Sequence, residues 1–474
     1  MSRPKKKTIK QSHSTIRSSG STKVSRRSEK SKTPSSKKRK EIKKTLSSKS
    51  SKRRMRFQAP KGTFDILPED QKYWERIIEA VKELASAYGF LAIDTPMFED
   101  TQLYTRGTGK FTDIVQKEMY TFRTKGGAHF ALRPEFTPGI ARAYIEHGMK
   151  SRPQPVKLYS IGPIFRHEKP QAGRFRQFNQ FNLEIIGGAE AINDVLLIQL
   201  SSLILKKIGI NNFTFQINSI GCPQCRPNYR KLLIDYYRKQ RRKLCSQCRQ
   251  RLKTNPFRLL DCKEEKCQQL ASNAPQMIDH LCNECHNHFK EVLETLDELG
   301  ISYILNPYLV RGLDYYTKTV FEIHTEKESY LGELGGGGRY DNLLELLGGG
   351  DIPAAGVAIG IERIISILKS EKIKIHQEIS PKVFLAHVGE LGKRRSLKLF
   401  EELRKKGLKT TEAFSKSSIK SQLATADRLG INLVLILGQK EALENNIIIR
   451  DMKSGVQETV PIDRIIKEVR KRLK

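Results

Sequence analysis

The stretch PIFRHEKPQAGRFRQFNQFNLEII, residues 163–186, holds three arginines, three glutamines and four phenylalanines. Guanidinium is a rigid fork that grips phosphate through paired hydrogen bonds. A phenylalanine ring offers a face on which a planar base can stack. Together these residue types suit a bound nucleotide. The span divides into two strands, VKLYSIGPIFR and FRQFNQFNLEII, joined by the loop HEKPQAGR. Side chains alternate along a strand, so Gln180, Asn182 and Glu184 share one face, and Asn179, Phe181, Leu183 and Ile185 the other. The first face is polar and acidic, like the floor of a ligand site; an ordinary solvated face is the plainer alternative. Arg166 closes the first strand.

Three more pieces could join the same site. LRPEFTP brings Arg133, Glu135 and Thr137 together, and VRGLDYY brings Arg311, Asp314, Tyr315 and Tyr316 together. GIER sets Arg363 at the start of a helix, after glycines that let a ligand approach the backbone. Each piece has a plainer reading: Arg133 paired with a structural acid, the tyrosines as core, the glycine run as a mobile loop.

A second chemistry lies in the cysteines. The pairs Cys222/Cys225, Cys245/Cys248, Cys262/Cys267 and Cys282/Cys285 give three C-x2-C spacings and one C-x4-C. Eight thiols are enough for two tetrahedral zinc sites. Spacing does not determine which pairs share a metal, and reduced thiols without metal are the alternative. His280, His286 and His288 are expected at the surface, with replacement of a cysteine ligand as the alternative. Structural disulfides are not expected in an intracellular chain.

These groups need elements to position them. The chain has 474 residues, enough for two or three domains, and is 38% hydrophobic. No apolar run reaches the length of a membrane span, and no signal-peptide core follows the N-terminus. A soluble, cytoplasmic protein is expected. Residues 1–57 carry 22 Lys/Arg against 2 Asp/Glu, which is +20 of the net +35. That segment is mostly Ser, Thr, Lys and Arg and has too little apolar surface to offset ordering entropy, so it reads as a disordered basic tail. RNA suits it by counterion release; a solubilising tail is the equal alternative, with transit-peptide and nuclear-localisation readings weaker.

Order is expected from Phe57. PED starts a helix that Gly89 ends, with Trp74, Ile77, Ile78, Val81, Leu84 and Tyr88 at helical spacing. Short strands then run to about residue 186, followed by a helix over 190–208. Residues 219–300 hold all eight cysteines in mainly helical patterns. Strands resume at ISYILNPYLVRGLDYYTKTVFEIH. AAGVAIGIERIISIL reads as a strand running into a helix. Residues 371–382 read as a linker, and residues 383–474 alternate strand and helix as a separate small α/β domain.

On these residues the chain resembles a class II aminoacyl-tRNA synthetase, specifically the histidyl-tRNA synthetase family, over about residues 57–474. Residues 95–99, TPMFE, resemble the class's first motif, which builds a dimer interface. The opening stretch resembles the second motif, a hairpin over ATP, and AAGVAIGIER the third. RPEFTP, RGLDYYTKTVFEI and GGGGRYD are similar to the histidine-specific elements. The resemblance implies an α+β catalytic domain over 58–380 with a mostly antiparallel sheet flanked by helices, interrupted by the Cys-rich helical insertion at 219–300. It also implies an anticodon-binding domain at 383–474.

Carried over by position, the resemblance implies a role for each candidate. Arg166 would hold the ATP α-phosphate, Arg311 the α-phosphate and substrate carboxylate, and Arg363 the γ-phosphate, with Glu168 near the adenine. Glu135, Thr137 and Gln180 would receive the α-amino group of histidine, with Tyr315 beside them, and Glu184 and Tyr316 would read the imidazole. Gln171 would face the tRNA acceptor end, which the insertion also approaches. Lys416, Lys420 and Arg450 would contact anticodon-loop RNA. The implied reaction is ATP-dependent ligation of L-histidine to tRNA(His) by a homodimer, with Mg²⁺ on the nucleotide; structural Zn²⁺ on the cysteines rests on their number and spacing. Asn179, Asn182 and Asn342 depart from the family's usual residues. A non-catalytic synthetase-like paralogue and a zinc-bearing RNA-binding protein are the competing readings.

Overall fold

The computed structural model describes residues 57–110, 112–170, 173–325, 332–373, 375 and 381–473. The expected disordered tail over 1–57 therefore lies almost wholly outside the described residues, as does Gln171.

Helix α1 (Pro68–Ala87) begins with proline in its first turn, where a missing N–H costs nothing, and with Glu69 and Asp70 against the positive end of the helix dipole. It ends before Gly89, whose φ of +78° suits glycine. Trp74, Ile77, Ala80, Val81 and Ala85 form its buried stripe. Strands β1 (Leu91–Ala92) and β2 (Phe98–Asp100) follow. The region expected to hold short strands thus opens with two, separated by irregular backbone.

Next come β3 (Thr121–Arg123), β4 (His129–Leu132) and helix α2 (Thr137–Glu146). The hairpin is β5 (Val156–Phe165) and β6 (Gln177–Ile186), followed by helix α3 (Ile192–Ile208) and β7 (Phe213–Ser219). The Cys-rich segment contributes α4 (Arg226–Lys239), α5 (Ser246–Thr254), α6 (Glu265–Ala271) and α7 (Asn283–Glu298). Then β8 (Tyr303–Leu305), β9 (Thr317–Thr325), β10 (Glu333–Arg339), β11 (Ala354–Gly360) and helix α8 (Ile361–Ser370) complete this part.

The main sheet has eight strands in the order β1-β5-β6-β11-β10-β9-β7-β8. Its two edge pairings, β1/β5 and β7/β8, are parallel, and the five inner ones are antiparallel. The mostly antiparallel sheet flanked by helices agrees with expectation. Phe181, Leu183 and Ile185 of β6 join Val357 and Ile359 of β11 and the apolar faces of α1, α3 and α8 in one core. The opposite face of β6 is left for polar work.

The GGGG run was open to reading as a loop, yet it forms β10 at the sheet centre. Glycine usually weakens a strand. Here side chains have no room: a Cβ on Gly336 would lie 2.6 Å from the Phe321 carbonyl oxygen and 2.7 Å from Arg311 Nη1. A separate three-stranded sheet, β2-β4-β3, carries Phe98, Phe122 and Phe130 as an edge-packed cluster with ring centroids 5.5–6.1 Å apart.

The C-terminal region holds β12 (Val383–His387), α9 (Gly389–Lys405), β13 (Thr410–Glu412), α10 (Ile419–Arg428), β14 (Leu433–Leu437), β15 (Asn446–Asp451), β16 (Gln457–Pro461) and α11 (Ile465–Leu473). Its sheet runs β13-β12-β14-β15-β16, with parallel pairing about β12 and antiparallel pairing beyond β14. No helix among the described residues is long and apolar enough to cross a membrane.

Candidate active site

One cavity opens on the polar face of the main sheet. Glu135, Thr137, Arg166, Glu168, Gln180, Arg311, Tyr315, Tyr316 and Arg363 all line it, so pieces distant in sequence converge. Glu184 lies on the same strand face but is fully buried. Thr137 Oγ1 donates to its Oε1 at 2.5 Å, and the Tyr340 hydroxyl donates to its Oε2. Strand β11 makes room for this carboxylate, because Gly356 is its register partner and carries no side chain. Burial pushes the Glu184 carboxyl up to about 7.

Glu135 sits just before α2, also buried. Its Oε1 accepts from Thr108 Oγ1 at 2.5 Å and its Oε2 from the Tyr315 hydroxyl at 2.7 Å. Burial still raises this carboxyl above the usual range. Burial likewise raises the Tyr316 hydroxyl, to about 12, so it stays a neutral donor at physiological pH. Thr108 belongs to a π-helical turn, Thr105–Gly109, which feeds the site from outside the sheet.

The cations occupy separate stations. Arg166 Nε donates to the Pro134 carbonyl at 2.9 Å, and its guanidinium lies 5.6 Å from the centroid of the Phe178 ring. Arg311 Nη1 lies 2.6 Å from Glu322 Oε1 and 2.7 Å from Glu333 Oε1. Burial alone would weaken its hold on the proton, but Glu333 and Glu322 outweigh it and raise the value well above normal. Arg363 donates to the Glu333 carbonyl and, at 3.5 Å, to that of Gly173. Glu168 pairs with Arg174 at 3.1 Å. Several buried polar atoms here have no partner among the described residues: Gln180 Oε1, Asn182 Oδ1 and Arg311 Nε. Such atoms are costly unless a ligand or water meets them.

Arg133 lies apart from the cavity. It is buried, donates to the carbonyls of Thr95 and Pro163 at 2.8 Å each, and ties the segment before β2 to the hairpin. Arg339, in GGGGRYD, is fully buried and pairs with Asp194 at 2.6 Å. Both are scaffold.

Sequence reasoning missed Glu333 and Glu322, which hold Arg311, and Glu362, which explains Asn179. The Asn179 backbone N–H donates to Glu362 Oε1 at 2.8 Å, and its side-chain amide donates to the same oxygen at 3.0 Å. The available signal was the acid beside each motif: Glu333 opens the glycine strand, and Glu362 precedes Arg363.

The cysteines gather into two groups, Cys222/Cys225/Cys282/Cys285 and Cys245/Cys248/Cys262/Cys267, with all sulfurs of a group within 4.8 Å of one another. Among the described residues no histidine belongs to either. His280 and His286 are exposed as expected, whereas His288 packs 3.3 Å from Asp194 on α3, because α7 docks its inner face there. In the C-terminal region, Lys416 donates to Thr425, Lys420 is exposed on α10, and Arg450 lies on β15 with its Nε unpartnered among the described residues.

The histidyl-tRNA synthetase family profile matches residues 62–364, and an anticodon binding domain profile matches residues 382–472. A histidine–tRNA ligase of Dehalococcoides mccartyi is 46% identical over 417 residues, spanning 88% of this chain and all of the relative. One from Caldicellulosiruptor saccharolyticus is 42% identical over 419 residues, again 88% of this chain and all of the relative. The crystal structure of apo S. aureus histidyl-tRNA synthetase superposes with a TM-score of 0.73 at 36% identity, covering 87% of this chain and 99% of that one. The chain belongs to the histidyl-tRNA synthetase family.

Proposed function

We propose that this protein activates L-histidine with ATP and transfers it to tRNA(His). The observation that carries the reading is the convergence of Arg166, Arg311 and Arg363 on one cavity with Glu135, Thr137 and Gln180. Cations and amino-group acceptors in one space suit a nucleotide beside an amino acid.

In the first step the histidine carboxylate attacks the α-phosphorus of ATP, which enters as its Mg²⁺ complex, and pyrophosphate leaves. Negative charge grows on the phosphoryl oxygens, so fixed cations matter most. Arg166 and Arg311 supply them at the α-phosphate, while Arg363 holds the γ-phosphate. Phe178 offers a stacking surface and Glu168 lies toward the adenine. Glu135, Thr137 and Gln180 take the ammonium group, with Tyr315 orienting Glu135. Imidazole is both donor and acceptor. A carboxyl held near 7 and a neutral phenol, Glu184 and Tyr316, meet both nitrogens. An apolar analogue would leave those groups unpaired, which is strong discrimination. In the second step a ribose hydroxyl of the tRNA attacks the adenylate carbonyl and AMP leaves. Positioning two bound reactants supplies much of the rate.

Gln171 is assigned to the acceptor end, and Lys416, Lys420 and Arg450 to the anticodon loop. The aromatic face of β2-β4-β3 supports a homodimer: Phe98 is 51% and Phe122 42% exposed, and an apolar cluster of this kind suits an interface. The eight thiols are assigned to structural zinc, and the protein to the cytoplasm, where ATP and tRNA are found. The test is ATP–pyrophosphate exchange, expected with L-histidine and absent without it. Binding of RNA with no exchange would support the non-enzymatic reading instead.

A further inference from the structure

The two cysteine groups are not equivalent in what they hold. The first joins the two ends of the Cys-rich segment. Cys222 and Cys225 follow β7, while Cys282 and Cys285 stand at the start of α7. The second lies within the segment, around the start of α5 and the start of α6. All eight thiols are free and seven are buried.

The geometry fits a metal. Cys222 Sγ lies 3.6 Å from Cys225 Sγ and 3.9 Å from Cys282 Sγ, and Cys245 Sγ lies 3.9 Å from Cys262 Sγ. A tetrahedron with zinc–sulfur bonds of about 2.3 Å has sulfur–sulfur edges of about 3.8 Å. Backbone N–H groups already point at sulfur: Cys282 donates to Cys225 Sγ at 3.1 Å, Cys245 to Cys267 Sγ at 3.4 Å and Cys248 to Cys245 Sγ at 3.3 Å. Such donors stabilise and orient thiolate ligands. Four soft sulfurs in a tetrahedron select zinc or an iron–sulfur cluster. Sulfurs this close leave room for one ion and not for a cluster.

Both loops of the first group grip the segment that carries Tyr316. Arg226, next to Cys225, donates through Nη2 to the Tyr316 carbonyl and through Nε to that of Ile220 at 3.1 Å. Residues 220–221 and Lys318 exchange two backbone hydrogen bonds, Ile220 N–H to the Lys318 carbonyl at 2.8 Å and Lys318 N–H to the Gly221 carbonyl at 2.9 Å. Lys318 Nζ reaches Glu284, between Cys282 and Cys285, at 2.7 Å. Lys318 itself has φ of +46°, an uncommon value for a residue with a side chain. The surroundings must hold it there.

We propose that the cysteines form two separate tetrathiolate zinc sites, and that the site of Cys222, Cys225, Cys282 and Cys285 is a clamp that positions Tyr316 in the amino-acid pocket. The clamp rests on the assignment of Tyr316 to the imidazole; the zinc count and pairing do not. These cysteines and Arg226 are positioning residues, since none of them lines the main cavity.

Metal analysis of the purified full-length protein should find two zinc ions per chain. None, or iron in place of zinc, overturns the proposal. Pairing is read from double variants. Cys222→Ser with Cys282→Ser strikes one site and should keep one zinc; Cys222→Ser with Cys262→Ser strikes both and should keep none. Equal zinc in the two overturns the pairing. Should these variants be insoluble, cadmium NMR of the cadmium-exchanged native protein replaces them, with two tetrathiolate signals expected and any other number contradictory. The clamp is tested with Arg226→Met, which should retain both zinc ions and raise the histidine KM by about tenfold or more, leaving the ATP KM near native. Unchanged histidine KM overturns the clamp while leaving the zinc sites standing. Absence of histidine-dependent exchange in the native protein would defeat the functional reading without touching the zinc count.

Discussion

Replacing Arg311 with methionine separates two roles of one side chain. Its Nη1 stands between Glu322 and Glu333, at 2.6 and 2.7 Å, with only 14% of the side chain exposed. Methionine keeps an apolar stem and removes the charge, leaving two carboxylates side by side. Removing one partner of a buried ion pair costs about 3–5 kcal/mol. Glu333 retains 34% exposure, so water screens part of the effect, and the expected loss is about 2–3 kcal/mol. The catalytic loss has a different origin. One fixed donor at developing charge is worth about 10²–10³ in rate, and pyrophosphate exchange should fall by that factor. Adding Glu333→Gln removes one of the stranded charges. The double variant should recover roughly half of the lost stability and none of the exchange. Thermal or urea unfolding and the exchange assay are run on the same three proteins. If the double variant regained exchange together with stability, Arg311 would be acting only as scaffold. If the single variant unfolded at the native midpoint, the ion pair would be worth nothing.

Other perturbations probe the remaining parts. Gly356→Ala would set a Cβ 1.6 Å from Glu184 Oε2, at an overpacking cost of about 1–3 kcal/mol. It should raise the histidine KM far more than the ATP KM; an unaltered histidine KM removes Glu184 from the imidazole end. Glu184 has a folded-state value of about 7 against 4.5 for an ordinary glutamate. Its stabilising contribution is therefore complete below about 4.5 and is lost as pH rises through about 7. In Glu184→Gln that loss is absent, so between pH 4.5 and 8 the variant should gain on the native protein by up to about 3 kcal/mol. Parallel stability profiles would show that the carboxyl titrates normally. Phe98→Lys with Phe122→Lys should turn a dimer into a monomer by sedimentation, and a native protein already at monomer mass would contradict the interface.

The β5–β6 hairpin was legible because its pattern is local. Alternation along β6 alone separated Gln180, Asn182 and Glu184 from Phe181, Leu183 and Ile185, and the core contains the second set. Arg363 at a helix start was legible from the glycines before it. What was hidden depends on approach in space. Glu362 meets Asn179 across 183 residues, and no local pattern encodes that distance. The glycine strand misleads because β-propensity measures side-chain packing, whereas at β10 the neighbours already occupy the space a Cβ would need. Cysteine spacing marked four pairs, but partnership follows from the folding of the whole segment: the outermost pairs meet each other, and the inner pairs meet each other. His288 was misjudged as surface because its partner, Asp194, lies on a helix far back in the chain.

The central claim is that the cavity joins ATP to histidine in particular. ATP–pyrophosphate exchange on the purified full-length protein, run against each of the twenty amino acids in turn, tests it most directly. Exchange with L-histidine alone is the expected result. Exchange driven by a different amino acid, or none with any, would contradict it.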